Sequence, residues 1–173
     1  MSLINGLPAH ILLVHFVVVL VPLTALALAV CAIWPRVARR MGIVLPLLAL
    51  VTLVSVPLTT EAGEWLERHV DRDALVRRHA SLGDGLLPWV GCLFLLAVAI
   101  WWMARRAAAS GSGSSGGRTQ LSAALVRIAA AVLAIVVSVG AVVDVYRIGD
   151  SGAKAAWHDG FSKTASGGDG YDG

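Results

Sequence analysis

Charge is scarce in this chain. Only 14% of its 173 residues are Asp, Glu, Lys or Arg, 57% are hydrophobic, and the mean hydropathy is +0.77. A soluble domain carries about a quarter charged residues to cover its surface, so this composition excludes one. Acids are missing altogether from positions 1–60 and 85–143. Cysteine is limited to Cys31 and Cys92, which leaves no disulfide framework. There is no C-x-x-C-H, no H-E-x-x-H and no Ser/His/Asp order. No basic stripe interleaved with aromatics is present, so nucleic acid is not an expected partner.

Long apolar runs fill the space that charge leaves. A helix needs about 20 mostly apolar residues to cross a hydrocarbon core of about 30 Å. Four runs qualify, at 9–34, 42–60, 82–104 and 121–146. The expected architecture is therefore all-α: an integral membrane protein of four transmembrane helices in an up-down bundle. One membrane domain over 1–163 and a disordered tail over 164–173 account for the chain. The first run lacks a basic start and is too long for a cleavable signal core. Cys31 and Cys92 fall inside spans and read as small apolar residues.

Between the spans the pattern changes. Residues 61–80 read as a polar connector helix outside the membrane, with Glu64–Arg68 and Asp73–Arg77 as i,i+4 pairs. Ser81-x-x-Asp84 reads as a capping box opening span three. Residues 107–117 are a Gly/Ser-rich flexible linker. Pro8 suits a first helical turn, whereas Pro22, Pro46 and Pro57 are expected to kink their helices. Arg127, about two turns inside span four, is expected to snorkel toward the arginine-rich face.

The four spans segregate charge. All eleven acids and all five histidines fall at or beyond one face, and the other holds Arg36, Arg39, Arg40, Arg105, Arg106 and Arg118 without an acid. Lys/Arg counts are nearly tied because the 61–80 connector holds four arginines. The acid-free face, with Trp34, Trp101 and Trp102 as an interfacial belt, is read as cytoplasmic. Both termini and the connector are then extracytoplasmic.

Chemistry is confined to the histidine face. His10 and His15 are five positions apart, about 140° around a helix, so they do not share a narrow face. His15 lies roughly 10 Å below the helix start, where an ionisable group is a functional candidate because burying it is costly. His79 precedes span three, which is diagonal to span one in an up-down bundle, and can approach His10 or His15. Thr59, Thr60 and Glu61 end span two at that level, and Asp144, Tyr146 and Arg147 end span four. Two imidazoles suit haem b. A His/carboxylate cluster that includes Glu61 suits zinc or copper, and a Glu/His chain suits proton relay. Ser81 and Ser151 read as caps and turns.

Leu7-Pro8-Ala9-His10-x4-His15-Phe16, Thr60-x-x-Gly63, His79-x-x-Leu82-Gly83 and Gly149-x-x-Gly152-Ala153 together resemble a bacterial membrane family, domain of unknown function 2231. The resemblance covers most of residues 6–157. It implies a four-helix bundle in the bacterial inner membrane, an association with haem or redox chemistry, and His10, His15 and His79 as the positions of interest.

The leading expectation is a redox-accessory protein binding haem b or a transition metal at the outer face through His10, His15 and His79, with Glu61 as a further metal ligand. The alternative is a non-catalytic structural or assembly subunit of a larger membrane complex. No catalytic residue emerges. The lipid bilayer is the expected partner, with other complex subunits under the alternative.

Overall fold

The computed structural model describes residues 3–4, 7–67, 74–109 and 117–157. A two-residue antiparallel pairing of β1 (Leu3–Ile4) with β2 (Leu7–Pro8) precedes six helices. These are α1 (Ala9–Ile33), α2 (Pro35–Met41), α3 (Val44–Glu67), α4 (Ala74–Asp84), α5 (Leu86–Ala109) and α6 (Gly117–Trp157). The architecture is all-α. Four helical stretches, His10–Ile33, Val44–Trp65, Ala74–Ala109 and Leu121–Trp157, are long and apolar enough to cross a membrane.

The bundle closes in sequence order. α1 packs against α3 and α6, and α5 packs against the same two. α1 and α5 are therefore diagonal, as expected for an up-down bundle. Small residues let the backbones approach, the usual device where lipid removes any hydrophobic drive between helices. Ala25, Ala49, Ala97, Ala134 and Ala141 are fully buried at the contacts. Large apolar residues turn outward instead, among them Val19, Leu26, Leu95 and Val136. An apolar exterior this extensive suits lipid rather than water.

Side-chain hydroxyls complete the core. Thr52 Oγ1 donates to the Leu48 carbonyl, so Thr24, 2.7 Å away on α1, donates to Thr52. Ser138 on α6 donates to the Ala25 carbonyl of α1 at 3.0 Å. These bonds tie α1 to both neighbours at buried positions, where an unpaired hydroxyl costs about 1–3 kcal/mol. Trp89 on α5 lies against Gly140 of α6, where a Cβ would overlap the ring.

Several local expectations need correction. Of the 61–80 segment, the described parts are the end of α3, which continues to Glu67, and the start of α4 at Ala74. Arg68, His69 and Asp73, and with them both proposed i,i+4 pairs, lie outside the described residues. Ser81 does not cap a helix; it sits inside α4 and its hydroxyl donates to the Arg78 carbonyl at 3.0 Å. The helix break falls at Gly85, whose amide donates to the Leu82 carbonyl. Pro22 and Pro57 are interior to α1 and α3, whereas Pro46 falls in the first turn of α3, where its missing N–H removes no helical bond. Pro8 immediately precedes α1. The core of the Gly/Ser linker and the tail beyond Trp157 lie outside the described residues.

Candidate functional site

Two histidines meet at one end of the bundle. The rings of His10 on α1 and His79 on α4 lie with centroids 6.4 Å apart and planes at 81°. The diagonal placement brings them together: α4 extends the α5 side of the bundle, and α1 begins opposite it.

Each ring is held in the same way. His10 Nδ1 is 3.1 Å from the Thr59 carbonyl of α3, and His79 Nδ1 is 3.1 Å from the Ile148 carbonyl of α6. A carbonyl only accepts, so each Nδ1 carries a proton and donates it, and Nε2 is the ring nitrogen that could ligate. Four residues beyond each carbonyl, one helical turn on, is a glycine. A Cβ on Gly63 would come within 2.9 Å of His10 Cε1, and one on Gly152 within 2.9 Å of His79 Cε1. Glycine inside a helix costs about 0.5–1 kcal/mol relative to alanine. At these two positions its missing side chain is the seat for the ring.

Ser151 supports His79. Its hydroxyl donates to the Ile148 carbonyl at 2.7 Å, and its oxygen lies 3.0 Å from His79 Nδ1, whose N–H it shares with that carbonyl. Ser151 therefore belongs to the site and not to a turn. One turn of α3 below His10, the Thr59 hydroxyl donates to the Ser55 carbonyl at 2.7 Å. Two turns below Ser151 on α6 is Asp144, whose Oδ2 is the one buried side-chain oxygen among the described residues that lacks a hydrogen-bond partner.

The other named residues are elsewhere. His15 is exposed on the outer flank of α1, between the exposed Leu12, Phe16 and Val19, and its Nδ1 donates to the Ile11 carbonyl of its own helix at 2.7 Å. The imidazole is satisfied locally on a lipid-facing strip. Glu61 is exposed on α3. Among the described residues no group of three or more His, Cys, Asp or Glu side chains is placed to hold a metal ion. Cys31 is buried with its Sγ 3.4 Å from Met41 Sδ, Cys92 is exposed, and both are free.

The match to a known family covers this whole arrangement. A family model described as predicted membrane protein (DUF2231) matches residues 6–165. The chain belongs to this family. DUF2231 thus includes His10, Gly63, His79 and Gly152 of this chain within its matched span. The membership makes the chain a membrane protein in contact with the lipid bilayer and leaves its activity open. No curated protein and no solved structure matches the chain.

Sequence reasoning found His10 and His79 but missed what holds them. A mid-helix glycine without a turn to make is the available signal, since it usually has a packing reason. Gly63, Gly140 and Gly152 all carry that signal, and each receives a ring.

Proposed function

We propose that the His10–His79 pair is the axial ligand set of a b-type haem, and that the protein is a one-electron redox-accessory component of the membrane. The observation that carries this reading is that the His10 and His79 rings meet at one end of the bundle, each with its Nδ1 held by a backbone carbonyl of a neighbouring helix. Metal-ligating histidines characteristically donate the other ring N–H to a backbone carbonyl or carboxylate, which sets orientation and raises basicity. His10 and His79 both do so, through Thr59 and Ile148.

The donor set favours haem over a bare cation. Structural zinc takes four protein ligands and catalytic zinc three, and no such group exists among the described residues. Haem needs only axial ligands from the protein. His10 and His79, whose ring centres lie 6.4 Å apart, would be the two residues that hold it. When bound, the haem would supply an iron that cycles between ferric and ferrous states. The chain's own part is to hold two imidazoles in fixed orientation at the mouth of an apolar bundle. With the acid-free arginine face inward, the pair sits on the extracytoplasmic side of the bacterial inner membrane.

Haemin titration of the purified protein, read in the visible and Soret region beside elemental analysis, tests this reading. A saturable low-spin spectrum at one haem per chain is expected. A featureless titration with stoichiometric zinc or copper would replace haem by a bare metal. A featureless titration without metal would favour a structural or assembly subunit.

A further inference from the structure

We infer that the opposite end of the bundle holds a binding site for the phosphate headgroup of an anionic phospholipid, built by Arg36, Arg39 and Arg127 with Trp34. These residues and Pro35 line an open surface hollow of about 300 Å³, to which α6 contributes Arg127. An adjoining hollow of about 430 Å³ is lined by Arg36, Val37, Arg39 and Arg40. Arg127 lies about two turns inside the fourth span, which starts at Leu121, and lines this hollow with Arg36 and Arg39 of the arginine face.

Three features point to a phosphate. The chain offers these guanidinium groups no carboxylate, because positions 1–60 and 85–143 contain no acid. Arg105 and Arg106 on the same face are engaged differently: they stack over Trp101 and Trp102 at 5.3 and 5.1 Å. The cations of the hollow are all arginine, whose planar fork matches phosphate oxygens in bidentate fashion.

A lipid is favoured over a free anion by what flanks the hollow. Ile33 precedes Trp34 at the end of α1, and Ile128 and Val132 follow Arg127 on α6; all three are exposed. A headgroup on the arginines would leave acyl chains an apolar surface to lie on. Trp34 is exposed at the same level, where amphipathic rings mark a membrane interface. Basic pockets between transmembrane helices recognise anionic headgroups in this way, and each arginine near such a surface strengthens lipid attraction by about five-fold.

Native mass spectrometry of the detergent-purified full chain tests the site. Dioleoyl phosphatidylglycerol, dioleoyl phosphatidylcholine and inorganic phosphate are the probes. Phosphatidylglycerol adducts are expected at least five-fold in excess of phosphatidylcholine adducts. Arg127→Gln should reduce that excess about five-fold, and Arg127→Lys, which keeps the charge but loses the planar fork, should fall between the parent and Arg127→Gln. The Arg36→Gln/Arg39→Gln/Arg127→Gln variant should abolish it, while Arg105→Gln/Arg106→Gln should leave it intact. Equal retention of both lipids would overturn the proposal, as would an Arg127→Gln variant indistinguishable from the parent. Displacement of phosphatidylglycerol by an equal concentration of inorganic phosphate would show a free-anion site and overturn the lipid assignment. Arg127 is exposed, so the single variants decide the matter even if the triple variant does not fold.

Discussion

His10 rests on Gly63 so closely that no side chain fits between them: a Cβ on Gly63 would lie 2.9 Å from His10 Cε1. His79 and Gly152 repeat the relationship at the same 2.9 Å. Two helix pairs, α1 with α3 and α4 with α6, thus present one histidine each through a carbonyl and a glycine one turn apart. Gly63→Ala and Gly152→Ala should each push a ring off its carbonyl. Because the ring can move, the stability cost should stay near the lower end of the 1–3 kcal/mol typical of overpacking. ¹⁵N chemical shifts of the histidine rings should report loss of the fixed Nδ1–H tautomer. Gly149→Ala, where nothing lies within 4 Å, should leave the shifts unchanged.

Trp89 and Gly140 predict a different balance. The added methyl of Gly140→Ala would overlap the Trp89 ring, and that wide ring lies between α5 and α6. The loss should reach or exceed about 3 kcal/mol, read as a fall in thermal midpoint in detergent. Gly91→Ala on α5 meets nothing within 4 Å and should be neutral or slightly stabilising, since alanine is the better helix former.

Thr24 and Thr52 should be coupled. Their 2.7 Å hydrogen bond is buried, and polar pairs within membrane bundles contribute about 0.6 kcal/mol on average. A double-mutant cycle with Thr24→Val and Thr52→Val should return a coupling of that order in unfolding experiments. A coupling of zero would mean that the two hydroxyls find other partners without cost.

Four spans place the 107–117 linker and the C-terminal tail on opposite sides of the membrane. Single cysteines introduced as Gly111→Cys and Gly170→Cys, in a background without Cys31 and Cys92, should differ in reaction with an impermeant maleimide on intact cells. The expected result is labelling at position 170 alone. Labelling at position 111 alone would keep the bundle and reverse its orientation. Labelling of both on one side would contradict an odd number of spans between them.

Much of the fold was legible because lipid imposes a simple rule: a run of about 20 apolar residues is a span. The histidine geometry was legible in part. The 140° between His10 and His15 already separates them, and the structure turns His10 inward with Val17 and Val21 while His15 faces out. The ends of the 61–80 segment were not legible, because its charges hide the fact that α3 runs on to Glu67 and that α4 starts at Ala74. Ser151, Thr59 and Ile148 were not legible as supports, since two act through backbone carbonyls that every residue possesses.

The central claim is that His10 and His79 act together and His15 does not. The most direct measurement is the Soret band of haemin-reconstituted His10→Ala, His79→Ala and His15→Ala proteins, each first shown by circular dichroism to retain its helix content. A parent-like low-spin band is expected in His15→Ala, with its loss or conversion to a high-spin form in both His10→Ala and His79→Ala. A band that survives in His10→Ala and His79→Ala, or disappears only in His15→Ala, would contradict it.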